Sequence, residues 1–124
     1  MRSYSIPNYI RYKEDIKAKL KRLPDKPYNE YTREELIIKF LPLVENLARK
    51  FPSGQQASGI MNIMDFIQEG SKGLTRAVDR IDWHTLMSSD DIEKTLKSFL
   101  AKRIRGAIRR GIDANRGTMR IPED

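Results

Sequence analysis

Apolar positions along the chain recur at three- and four-residue intervals, the spacing that aligns side chains on one face of an α-helix. Tyr9, Tyr12, Ile16, Leu20 and Leu23 form the first stripe, which predicts a helix over 8–23 capped by Asn8 and ended by Pro24. Residues 25–31, with Pro27 and Asn29, read as a linker. Thr32, Arg33, Glu34 and Glu35 have the form of a capping box, in which the Thr32 hydroxyl and the Glu35 carboxylate each satisfy a free backbone amide. The next stripe is Leu36, Ile37, Phe40, Leu41, Val44, Leu47, Ala48 and Phe51. Pro42 interrupts it and lacks an amide hydrogen, so it predicts a kink, or a restart with the proline in a first turn.

Residues 52–59 read as a loop, since they hold a proline, two glycines and two serines. Beyond them Phe66, Ile67, Leu74, Ala77, Val78 and Ile81 make another stripe, with Gly70 and Gly73 inside it. Each interior glycine costs a helix about 1 kcal/mol relative to alanine. Two together predict a close backbone approach by a neighbouring helix or a partner. Ser88 or Ser89 is placed to cap the last helix, and Asp90, Asp91 and Glu93 suit its positive N-terminal end.

That last helix is predicted to run to about Gly111, a length of about 33 Å. Leu96, Leu100, Ile104, Ala107 and Ile108 form its buried stripe. Lys94, Lys102, Arg105 and Arg109 lie on one flank, and Phe99, Arg103, Gly106 and Arg110 on the other. No strand-like alternation occurs anywhere. The fold class is all-α, a small bundle of three or four helices with a long basic C-terminal helix.

Length and composition bound the function. A chain of 124 residues suits one core. With no cysteine, disulfides and thiolate metal sites are excluded. The apolar runs fall short of the roughly 20 residues of a membrane span, and the start MRSYSIPNYIRYK lacks a signal-peptide core, so a cytoplasmic protein is expected. The net charge of +7 is unevenly spread. Residues 94–120 hold nine Lys or Arg against one acid, and residues 1–26 hold eight against three, whereas residues 27–93 are net acidic. Segregation of this kind predicts a polyanion-binding face.

No catalytic set emerges, and the chain is not expected to be an enzyme or to hold a metal or other cofactor. His84, the single histidine, falls in a stretch read as a polar loop. Asp65 and Glu69 stand one helical turn apart, a spacing that allows both to face one partner but gives too few ligands for a metal site. Phe99 is surrounded by Lys102, Arg103, Arg105 and Arg110. From these neighbours alone it is either a platform on which a single-stranded base stacks or an edge residue of the core.

Three segments resemble the second conserved region of sigma-70 family RNA polymerase sigma factors. LVENLARKF, residues 43–51, looks like region 2.1. DFIQEGSKGLTRAVDRID, residues 65–82, is similar to the polymerase-binding region 2.2, typically D-L-I-Q-E-G-x-x-G-L-x-x-A-V-D-x-F. IRGAIRRGIDANRGTMRIP, residues 104–122, resembles the end of region 2.4 and the R-x-I-R-I-P junction after it. The motifs span about two-thirds of the chain. On this pattern the chain divides into an N-terminal helix and linker over 1–31, a region 2-like helical domain over 32–122, and an acidic tail at 123–124.

The resemblance implies a transcription initiation module that binds core RNA polymerase and recognises and melts the -10 promoter element. Asp65, Gln68, Glu69, Ser71, Leu74 and Thr75 would dock on the coiled coil of the polymerase β′ subunit. Phe99 takes the place of the aromatic that stacks on the base flipped out of the -10 element. Lys94, Lys102, Arg103, Arg105, Gly106, Arg109, Arg110 and Arg116 fall on the segment that contacts promoter DNA. The resemblance leaves two other functions open. One is a regulator that docks on polymerase without opening promoters, and the other is an independent helical DNA-binding regulator.

The departures from the family pattern are specific. Its tryptophan pair is Lys102-Arg103 here, and its glutamine and threonine for duplex readout are Gly106 and Arg109. Residues 84–98 are about seven longer than the family's link and lack its R-G-x-x-F-S-T-Y-A pattern. Trp83 falls where the family often has an aromatic, and its own context predicts a half-buried ring. The sequence stops where region 3 would begin. It is therefore read either as a piece of a longer factor or as a minimal one relying on a separate partner for upstream promoter contacts.

Overall fold

The computed structural model describes the backbone of residues 5–51 and 61–120, and the side chains of residues 7–51 and 61–114. The loop predicted at 52–59, the Arg116 side chain, the Ile121-Pro122 junction and the acidic tail lie outside these described residues. Those described form six α-helices and one 3-10 turn, with no strand among them. The helices are α1 Ser5–Arg22, α2 Arg33–Lys39, α3 Leu41–Ala48, α4 Ile63–Asp79, α5 Trp83–Met87 and α6 Ile92–Arg120, and the turn is Tyr28–Glu30.

The pair α4 and α6 forms the centre, with α3 packed on both, α2 on α4, α1 across α2 and α4, and α5 on α6. The predicted stripes supply the core: Phe66, Ile67, Leu74 and Ala77 from α4 meet Leu96, Leu100, Ile104 and Ile108 from α6. Val44, Leu47 and Ala48 close it from α3. Gly70 and Gly73 do mark a close approach. A Cβ on Gly73 would stand 2.5 Å from the Ala107 Cβ, and one on Gly70 would stand 2.9 Å from Val44 Cγ1.

Local capping explains most helix starts. Thr32 and Glu35 form the predicted box, with Glu35 N donating to Thr32 Oγ1 at 3.1 Å and Thr32 N to Glu35 Oε1 at 2.9 Å. The Thr32 amide and the Lys26 ammonium hold the Glu35 carboxyl below the usual range. Losing the Thr32 cap should therefore matter: Thr32→Ala is expected to lower stability by about 1 kcal/mol, read as a shift in the urea midpoint with unchanged slope. Pro42 sits in the first turn of α3, so the chain restarts there after Phe40 ends α2.

Other expectations need correction. The first helix begins at Ser5, so Asn8 and Pro7 both lie inside α1, where a proline in the first turn sacrifices no intrahelical bond. The segment read as a linker is packed. Tyr31 is buried, donating its hydroxyl to the Pro24 carbonyl at 2.8 Å, and Tyr28 stacks on Phe40 at 5.9 Å between ring centroids. His84 lies in α5 rather than a loop, exposed to solvent. Asp91, not Ser88 or Ser89, caps α6 by accepting from Lys94 N at 3.1 Å. The serines bond back to the Thr85 and Leu86 carbonyls and close α5. Finally, α6 does not stop at Gly111 but continues to Arg120.

Candidate functional site

Two surfaces carry the residues singled out in the sequence, and both are built on the α4–α6 pair. The first is a cationic groove of about 280 Å³ between these helices. Gly73 and Ala77 from α4 and Gly106 from α6 provide small side chains, and Arg76, Arg80, Lys102, Arg103 and Arg110 line it with five cations. Among the described residues no acidic side chain lines it, and no ion pair engages these five. The neighbouring carboxylate, Asp79, is turned to α2, where Arg33 holds it with two bonds of 2.5 and 3.0 Å. That hydrogen bonding depresses the Asp79 pKa and withdraws its charge from the groove.

Phe99 stands beside this groove. The Arg103 guanidinium lies over its ring, 4.9 Å from the centroid. The half-buried ring also borders an apolar hollow of about 150 Å³ formed with Ile81, Leu86 and Leu96, with Asp82 and Arg80 at its edge. The hydroxyl and amide of Thr85 keep the Asp82 carboxyl below its ordinary range. One edge of Phe99 therefore packs toward the core, and one face meets a cation.

The structure regroups the predicted DNA-binding residues. Phe99, Lys102, Arg103, Gly106 and Arg110 converge, so Lys102 belongs with the second flank of α6 and not with the first. Lys94, Arg105 and Arg109 are exposed outside the groove. Arg76 and Arg80 are the residues that sequence reasoning missed. Their signal was the run Gly73, Arg76, Ala77, Arg80, an i, i+3, i+4, i+7 stripe of small and basic residues on α4.

The second surface is the face of α4 expected to dock on a partner, and here the structure narrows the set. Gln68 is exposed, while Asp65 and Glu69 are half-buried. The Asp65 carboxylate accepts from the Asn62 amide at 2.9 Å and completes the cap of α4. Leu74 is 0% exposed inside the core, so it packs the helix pair and is not available to a docked partner as the helices stand. The Thr75 hydroxyl is spent on the Ser71 carbonyl at 3.0 Å. Ser71 faces Tyr12 of α1, whose enclosed hydroxyl completes no hydrogen bond of good geometry; burial raises the Tyr12 pKa.

No known family model matches this chain, and no solved structure matches it. No helix among the described residues is long and apolar enough to cross a membrane. The class that the fold itself defines is an all-α bundle built on two long packed helices.

Proposed function

We propose that the protein is a sigma factor-like transcription initiation module, which binds core RNA polymerase through α4 and promoter DNA through the α4–α6 groove. The observation that carries this reading is the juxtaposition of five cations with an aromatic ring beside an apolar hollow. Cations in a groove follow a phosphate backbone, and a ring at its margin accepts an unstacked base, which is the chemistry of single-strand capture. The sequence likeness of residues 65–82 to the sigma region 2.2 segment supplies the polymerase half. Asp65, Gln68 and Glu69 remain as its polar contacts.

Melting would be non-enzymatic. Unstacking a base costs a few kcal/mol, offset by stacking and backbone contacts made only to the open strand. The test is open-complex formation with purified core enzyme on promoter DNA carrying a fluorescent base analogue in the -10 region. Phe99→Ala should lose about 1–3 kcal/mol of base stacking and slow or abolish opening. A Phe99→Ala protein that opens promoters as well as the parent makes Phe99 a packing residue and removes this account of melting.

One observation favours a second reading, an independent helical DNA-binding regulator. Leu74 is buried and Ser71 lies against α1, leaving fewer of the expected docking residues accessible on α4. Retention of the protein on immobilised core enzyme separates the two readings.

A further inference from the structure

We infer that Gly111 is the seat that orients Glu69, making it a positioning residue for the docking face of α4; the inference rests on the polymerase-docking role proposed above. Gly111 lies in the interior of α6, where a glycine weakens the helix and can have a local structural reason. At Gly70 and Gly73 that reason is helix packing. A Cβ there would meet the branched side chains of Val44 and Ile104, or the Ala107 methyl and the Arg103 carbonyl oxygen at 2.5 and 3.1 Å, all of them rigidly placed.

At Gly111 the space is filled by something quite different. The three atoms nearest to a Cβ would all be those of Glu69: Cγ at 2.6 Å, Cδ at 2.8 Å and Oε1 at 3.2 Å. Glu69 is 33% exposed, so its side chain has room to turn toward solvent, away from a Cβ at 111. This glycine is therefore covered by a charged, part-exposed side chain and not by a core group. What it permits is a defined place for the Glu69 carboxylate, with the stem laid on α6 and Lys72 Nζ 3.6 Å from Oε2.

A carboxylate already confined loses less rotamer freedom when a cationic partner binds it. The same turn of α6 carries Arg110 into the cationic groove, so the seat ties the docking face to the helix that carries the groove.

The experiment compares the parent, Gly111→Ala, Glu69→Ala and the double variant for affinity to core polymerase, thermal midpoint, and the NMR cross-peak between Glu69 γ and Gly111 α protons. Gly111→Ala should keep or raise the midpoint and weaken binding by about three- to tenfold; the parent should show the cross-peak. Glu69→Ala should weaken binding further, and the double variant should bind no worse than Glu69→Ala.

If Gly111→Ala binds like the parent while Glu69→Ala is weakened, the seat is refuted and the docking role stands. An equal loss from Gly111→Ala in both backgrounds means that Gly111 does not act through Glu69, which overturns the inference. A lowered midpoint, or a missing cross-peak in the parent, overturns it as well. Glu69→Ala binding like the parent removes the docking role and the seat with it.

Discussion

Arg76→Glu combined with Arg80→Glu is expected to weaken binding of single-stranded DNA by on the order of 100-fold at low salt. Both residues are exposed on α4 and line the groove that α6 completes with Lys102, Arg103 and Arg110. Each phosphate neutralised on a single strand contributes about −0.7 to the slope of log affinity against log salt. Over the span from about 0.05 to 1 M salt, one such contact is then worth nearly tenfold. Two lost contacts should flatten the slope by about 1.4, and the added carboxylates repel the strand in addition. Fluorescence anisotropy across a salt series measures both quantities, and circular dichroism checks that the helices persist. Arg105→Glu, which changes an exposed charge outside the groove, should have a smaller effect. Equal losses from the single and the double variants, or an unchanged slope in the double variant, would place the DNA elsewhere.

The same substitution should have opposite signs at two glycines. Gly73→Ala is expected to lower stability by about 1–3 kcal/mol, the usual cost of overpacking, despite the better helix propensity of alanine. The new methyl would stand 2.5 Å from the Ala107 Cβ and 3.1 Å from the Arg103 carbonyl oxygen, neither of which moves without separating α4 from α6. Gly106→Ala meets only the flexible end of Arg110, at 3.5 Å. It should raise stability by up to about 1 kcal/mol, the propensity difference alone. Urea unfolding of the two variants reads the contrast directly. A stabilised Gly73→Ala protein would show that α4 and α6 pack less closely than these distances require.

Much of the helical framework is legible in the sequence alone. Periodicity is a local property, so the stripes on α3, α4 and α6 can be read residue by residue, and those residues form the core. The Thr32 box is legible for the same reason, because its partners lie three residues apart. Glycine at 111 is misleading as a stop signal. Its local preference is weak, and the contacts of α4 and α6 carry the helix through it.

The candidate site is legible only in part. The charge surplus of the last helix points to a polyanion-binding face, and the proposal of DNA as its partner follows that surplus. Arg76 and Arg80 are hidden because residues 27–93 are net acidic, and it takes the pairing of Asp79 with Arg33 to leave those two cations facing the groove. Leu74 has two roles open to it in sequence, core and docking, and only the packing of α4 on α6 decides for the core.

The sequence by itself determined the all-α class, the buried stripes and the segregation of charge, because each depends on neighbours within a turn or two of helix. Tertiary structure alone decided which flank of α6 faces α4, which cations share a groove, and which side chain fills the space over Gly111. Those outcomes depend on where two helices cross, and the crossing follows from side chains more than 30 residues apart meeting at Gly70 and Gly73.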